Sequence, residues 1–261
     1  MIGFVVPFRP IQNSKNWAND SALLIKTLKS ICNQTSSNFK VYVVHHELPD
    51  ELYEHPNLSY VQFPYAFCTL AMLSGKTAQH DISIIMSVNG FDQGKKALYG
   101  AKHAVEDGCD YVMSVDSDDL ISNKIAAYVN NAPINSDGWY VSKGYIYMSS
   151  EDLLVRKPSK MNTINGSTNI IAARHIPSPD FNSNEADLFS FYAAHGYLYH
   201  RLKAQNIHLL PLPFYAIIYV AHTSNWSAIT ESYRRFSIRN FIIKTLRYQP
   251  QFPGLKKKFG L

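Results

Sequence analysis

Cysteine is scarce in this chain of 261 residues: Cys32, Cys68 and Cys109 are its only three, and they stand far apart. An odd number at such spacing offers neither a zinc-ligand pattern nor a disulfide framework, and it fits a reducing compartment with each thiol as a small core residue. Long apolar runs are missing too. The longest, such as Phe214 to Ala221, are strand-sized and too short to span a bilayer. Met1 to Pro7 has no basic leader and breaks at proline, so it reads as a strand and not as a secretory signal. A cytoplasmic location is expected, at most peripheral at the inner face of the membrane. Charge of one sign is not dominant. A net charge of +5 favours anionic ligands but falls short of a nucleic-acid signature. Repeats and low-complexity linkers are also lacking. What is present is ordinary globular composition, 46% hydrophobic and 17% charged, at a length that suits one large α/β domain with a full core.

Periodicity predicts the elements. Ile2 to Phe8 is a buried strand ended by Pro7-Phe8-Arg9-Pro10, which sets an arginine where open α/β sheets bind ligands. Ser21 to Cys32 is an amphipathic helix capped from Asn19-Asp20-Ser21. Lys40 to Val44 is a second buried strand ending in His45-His46-Glu47, and Pro56 to Phe63 a weaker third. This β-α-β opening predicts parallel pairing. Residues 64–90 fit helix or strand. Gly94 to Glu106 is helical and stops at the C-cap glycine of Asp107-Gly108. Ser122 to Asn130 reads as a short helix, Gly138 to Met148 as a strand and 149–169 as a loop or lid. Asp187 to Gln205 is helix-like, and Ile207 to Leu210 and Phe214 to Val220 are strands. From Ser232 the chain turns basic with interleaved apolar residues, which predicts an amphipathic helix with a basic tail. That helix either packs on the domain with a solvated basic face or meets a membrane.

The stretch that carries chemistry is Asp110 to Leu120. Tyr111 to Val115 is a short buried strand, and Asp116, Asp118 and Asp119 follow at its end with no basic residue beside them. Alternation lets Asp116 and Asp118 point to one side, an arrangement suited to a hard divalent cation completed by water and phosphate oxygens. The plainer reading is an acidic turn that caps the next helix through Asp119 or Ser122.

The order of these pieces resembles a known family. Strand with Val6-Pro7-Phe8-Arg9, helix, strand, then Gly94-Lys95-Lys96-Ala97 and Gly100-Ala101, then Asp107 to Ile121, is similar to the nucleotide-sugar-dependent glycosyltransferases of the GT-A fold, particularly the family-2 type. Pro7-Phe8-Arg9 also resembles the β-galactosyltransferase-like branch. The likeness covers about residues 1–125 well and 165–225 loosely. It implies a Rossmann-like α/β domain with a mixed, mostly parallel central sheet flanked by helices. That domain would span 1–230, with 1–125 as the nucleotide-binding half and 126–230 as the acceptor half, followed by a basic helix and tail at 231–261.

The resemblance also implies roles. Asp116 would meet the ribose or the metal, and Asp118 would hold the Mn²⁺ or Mg²⁺ that bridges the phosphates. Pro7 and Arg9 would line the nucleotide pocket, with His45, His46 and Glu47 near the base and Lys95 or Lys96 approaching the nucleotide. Arg201 to Pro211 is similar to a conserved stretch of the family, and His222 would complete the metal shell. One departure stands out: Ala194-His195 occupies the place of the family's catalytic Glu-Asp pair. The base is then His195, Asp187 from a shifted helix, or Glu185. His195, Arg9 and His222 also have plain structural uses, as a satisfied helix histidine, a surface ion pair and a strand-end residue.

The implied activity is metal-dependent transfer of a sugar from a nucleoside-diphosphate sugar, UDP favoured, to a hydroxyl acceptor with inversion, in polysaccharide or glycoconjugate synthesis. Its partners would be the donor, a sugar or glycolipid acceptor and a membrane surface at the basic tail, with no nucleic acid. The alternative is a non-catalytic carbohydrate- or nucleotide-binding protein of the same fold. A nucleotidyltransferase is disfavoured because Val5 to Pro10 holds no glycine-rich phosphate loop.

Overall fold

A computed structural model describes residues 1–67, 88–133, 135–149, 151–192, 195–221 and 238–261. Strand alternation sets its layers. Along β1 (Ile2–Pro7), Ile2, Phe4 and Val6 pack with Leu24, Leu28 and Ile31 of helix α1 (Trp17–Cys32). Val5 faces the other way, onto Ala101 and Ala104 of helix α2 (Val88–Glu106). The next strand, β2 (Phe39–His45), divides likewise, with Val41 and Val43 on the α1 side and Tyr42 and Val44 on the α2 side. The sheet is therefore sandwiched between the two helices. Gly100 lets α2 settle on it, since a Cβ there would lie 2.4 Å from Val5 Cγ1 and 2.8 Å from Val44 Cγ2.

The remaining elements complete two sheets. In chain order they are β3 (Leu58–Gln62), β4 (Tyr111–Ser114), β5 (Leu120–Ile121), α3 (Ile125–Asn130), β6 (Gly138–Tyr140), β7 (Gly144–Met148) and β8 (Leu153–Lys157). Then come β9 (Asn169–Ala172), α4 (His195–Ala204), β10 (Leu210–Pro211), β11 (Ile217–Ala221), α5 (Ile238–Arg247) and α6 (Pro253–Lys258). Among the described residues the central sheet has seven strands in the order β10-β6-β9-β4-β1-β2-β3. Every neighbouring pair is parallel except those of β9, which runs against both β4 and β6. This is the mixed, mostly parallel sheet expected from the sequence. Four strands, β5-β11-β7-β8, form a second sheet. One of its faces joins the main core through Ile146, Met148, Ile217 and Tyr219, and the other holds Tyr145, Ile218 and Val220 against Phe259.

Several expected boundaries move. Asn16, not Asn19, caps α1, its side-chain oxygen accepting from Asn19 N at 3.0 Å. Helix α2 starts at Val88 rather than Gly94, because Phe91 and Leu98 pack on Phe181 and Phe189 and tertiary burial outweighs the cost of Gly90 and Gly94. The expected strand Gly138 to Met148 is two strands in different sheets, since β6 pairs with β9 and β10 while β7 pairs with β8 and β11. The supposed loop 149–169 contains β8 and a short 3-10 turn at Met161–Thr163, and its last residues are buried. Asp187 to Gln205 is a 3-10 turn at Ala186–Phe189 followed by α4. Ser122 to Asn130 shortens to α3 after the two-residue β5. Cys32 and Cys109 are buried free thiols, as expected, and burial pushes them up to about 12 and about 11. Cys68, His222 and most of the ambiguous stretch 64–90 lie outside the described residues.

The basic C-terminus packs on the domain. Phe259 is fully buried, Asn123 N donates to Lys258 O at 2.9 Å, and Lys258 Nζ donates to Tyr215 O at 2.7 Å. Phe259→Ala is expected to cost about 3 kcal/mol or more, as for other buried phenylalanines. A urea midpoint equal to that of the parent chain would show that the tail does not dock.

Candidate active site

The carboxyl ends of β2, β1 and β4 lie side by side, because these strands are neighbours and parallel. Pro7 and Arg9, His46 and Glu47, and Asp116 and Asp118 thus come to one edge of the sheet from three separate stretches of chain. Glu47 Oε2 accepts from Ile11 N at 3.1 Å and ties the exits of β1 and β2 together. Arg9 is half-buried and pairs with Asp20 at 3.4 Å, and its positive charge also favours the ionised form of Asp116.

Asp116 follows Val115 out of β4 toward the α2 side, where Gln93 Nε2 donates to its Oδ1 at 2.6 Å. Burial and then the negative charge of Asp118 push the Asp116 carboxyl up to about 7, against the pull of Gln93 and Arg9. Asp119 is wholly buried. Its Oδ2 accepts from Asn165 Nδ2 and Ser167 Oγ, each at 2.6 Å, while its Oδ1 is buried with no hydrogen-bond partner among the described residues. Burial, then Asp118 and Asp116, push its carboxyl well above the usual range. The acidic turn therefore does not cap a helix. Asp119 is engaged with Asn165 and Ser167, and α3 begins after Lys124 with no side-chain cap.

Asn165-Gly166-Ser167 is the part of the site that sequence reading missed. Ser167 Oγ accepts from Asp116 N at 2.8 Å while donating to Asp119, so one hydroxyl joins both acids. Gly166 lies against the Asp116 carboxylate, and a Cβ there would stand 2.7 Å from Oδ2 and 3.2 Å from Oδ1. The available signal was a run of small polar residues, Asn165 to Asn169, placed directly before the apolar Ile170-Ile171-Ala172. Such residues entering a buried strand need partners inside the fold.

A second buried network supports the floor. Lys96 Nζ, fully buried, lies 2.9 Å from Asp92 Oδ2 and donates to Phe8 O at 2.8 Å, which fixes the exit of β1. His46 Nε2 donates to Tyr65 O at 3.0 Å, and its Nδ1 is 3.9 Å from Asp92 Oδ1. Burial, then the Lys96 charge, lowers His46, which keeps the imidazole neutral. Lys95, the neighbour of Lys96, lies among aromatic rings. Its ammonium lies 5.0 Å from the ring centres of Tyr65 and Phe189 and donates to Ser183 O at 3.2 Å.

Glu185 is exposed, immediately before the 3-10 turn that contains Asp187, and His195 opens α4. The side chains of Asp187 and His195 lie outside the described residues. Among the described residues no three His, Cys, Asp or Glu side chains converge as a metal-ligand group. Asp116 and Asp118 can offer a divalent cation two carboxylates, with phosphate oxygens and water to fill the shell. That donor set suits Mg²⁺ or Mn²⁺, which commonly takes one or two carboxylates together with substrate phosphates. Burial is the larger cause of the raised Asp116, and the Asp118 charge that adds to it is a repulsion such a cation would relieve.

A raised Asp116 has a definite pH signature. Unfolded, the carboxyl ionises near ~3.9; folded, it holds its proton up to about 7. The stability it contributes is complete below the unfolded value and is lost as pH rises through that window. In EDTA, the urea midpoint of the parent chain is expected to fall between those two pH values more steeply than that of Asp116→Asn. Equal slopes would show that Asp116 ionises normally.

No family model matches the sequence, and a search among curated proteins finds no match. Among solved structures the chain is similar to S. aureus TarS 1-349, with a TM-score of 0.46 and 16% identity over 84% of this chain and 60% of that one. It is also similar to TarS 1-349 in complex with UDP-GlcNAc, at 0.46 and 17% over 86% and 59%. For the complex with UDP the values are 0.45 and 16% over 84% and 60%. The chain thus spans about three fifths of the TarS 1-349 structures it matches.

Proposed function

We propose that this protein is a glycosyltransferase of the GT-A fold that takes a sugar from a nucleoside-diphosphate donor, UDP favoured, and passes it to a hydroxyl acceptor with inversion. The observation that carries the reading is the pair Asp116 and Asp118 at the carboxyl end of β4. They stand beside the ends of β1 and β2, and the charge of Asp118 helps hold the Asp116 carboxyl up. Ligands of open α/β sheets bind at that edge. The similarity of the residue order from Val6 to Ile121 to nucleotide-sugar enzymes supports the choice of ligand.

In this reading Asp116 and Asp118 hold a divalent ion, Mn²⁺ or Mg²⁺, which when bound supplies Lewis-acid stabilisation of the departing diphosphate. His222 is the proposed further ligand. Arg9 adds positive charge beside the phosphates, and Pro7, His46 and Glu47 shape the nucleoside end. His46, whose Nε2 is taken by Tyr65 O, shapes that end with its ring rather than with a charge. Lys95, held among aromatic rings, braces the helix that carries Gln93. Transfer also requires a base within hydrogen-bond reach of the acceptor hydroxyl, and His195, Asp187 and Glu185 are the proposed candidates. The acceptor is a sugar or glycolipid of a growing polysaccharide or glycoconjugate, and the proposed site of action is the cytoplasmic side of a membrane.

Calorimetric titration of uridine and guanosine diphosphates, with and without Mn²⁺, tests the reading on the parent chain, Asp118→Ala and Gly166→Ala. Uridine diphosphate is expected to bind only with the metal, to lose binding in Asp118→Ala, and to bind at least about tenfold more weakly in Gly166→Ala, a loss on the scale of a charge-assisted contact. Silence from both nucleotides under every metal condition would overturn the donor site and leave a non-catalytic carbohydrate-binding protein. Donor hydrolysis without acceptor separates an active transferase from that alternative.

A further inference from the structure

Residues 238–261 carry Arg239, Lys244, Arg247, Lys256, Lys257 and Lys258 and no acid. The same segment exposes large apolar side chains. Ile242 and Leu246 are 49% and 73% exposed, one helical turn apart on α5, and Tyr248 and Phe252 beyond it are 50% and 60% exposed. Scattered apolar residues on a surface need no explanation. These four follow one another between Ile242 and Phe252, within a segment whose charge is entirely positive.

The segment is also fastened to the domain. Lys244 pairs with Glu151 at 2.7 Å, Tyr248 forms an antiparallel bridge with Val155, and Gln249 N donates to Leu154 O at 2.9 Å. Phe259 is buried beyond α6. With both ends held, Leu246 and Phe252 stay outward instead of folding back on the core.

We propose that α5 and the turn to α6 form a docking surface for an anionic lipid bilayer. Ile242, Leu246 and Phe252 enter the interface, and Arg247, Lys256 and Lys257 meet the headgroups. Apolar side chains on a cationic amphipathic segment match the two attractions of such a surface, acyl-chain burial and negative potential. The segment itself carries no acid, and of the neighbouring carboxylates Glu151 is paired with Lys244 and Asp152 accepts from Gln251 and Tyr147. This inference does not rest on the donor-site reading, and its test needs no nucleotide.

Vesicle flotation tests it, using phosphatidylcholine alone and phosphatidylcholine mixed with phosphatidylglycerol. The parent chain is expected to bind the mixed vesicles at least about tenfold more tightly than the neutral ones, and less so as salt is raised. The double variant Leu246→Ser, Phe252→Ser, with an unchanged urea midpoint, is expected to lose most of that binding. Lys256→Glu with Lys257→Glu is expected to abolish the preference for the anionic lipid. Equal or absent binding to both vesicle types at low salt would overturn the proposal, as would unchanged binding by the serine variant. A concentration-dependent dimer in ultracentrifugation that the serine variant abolishes would assign the surface to a second copy instead.

Discussion

Three carboxylates crowded at the end of one buried strand are the constraint around which this molecule is arranged. Charge cannot be withdrawn from water without compensation, and Asp119 and Asp116 are supported differently. Asp119 lies deepest and takes hydrogen bonds from Asn165 and Ser167. Asp116 takes one from Gln93, donates its own backbone N–H to Ser167, and retains a raised carboxyl. The unequal support separates their uses. The well-supported acid shapes the turn, and the repelling pair faces the edge where a cation would be useful.

The parallel order β2-β1-β4 is what makes that edge a site. It requires a helix on each face, and α2 does more than cover the sheet. Its first turns carry Asp92 and Gln93, and its Lys96 is drawn into the core to bind the carbonyl of Phe8. Burying a lysine and an aspartate is costly, and breaking such a pair leaves an uncompensated charge. The interaction therefore holds the end of β1 in one position relative to α2. Arg9, next in the chain, is set by that position.

The second sheet gives the C-terminus its place. Phe259 and Leu255 cover part of its outer face, packing with Tyr145, Ile218 and Val220. The same docking that buries Phe259 leaves Ile242 and Leu246 outward, so one segment is both part of the core and a surface of distinct character.

Local chemistry was legible in the sequence. Alternation and apolar runs located β1, β2 and β4, the Asp107-Gly108 stop located the end of α2, and the acids after Val115 marked the sheet edge. These signals depend on residues within a few positions of one another, so the chain carries them before it folds. What partners those acids was not legible. Ser167 meets Asp116 across 51 positions, and Asn165 meets Asp119 across 46, because β9 enters antiparallel between β4 and β6. Lys95 and Lys96 are adjacent in sequence and equal in charge. Only their directions on α2, one among aromatic rings and one onto Phe8, give them different surroundings. The sequence by itself determined β1, β2 and β4, the end of α2 and the acids at the edge. The tertiary structure decided which side chains support those acids, because that support comes from strand neighbours and a helix face brought together only when the sheet closes.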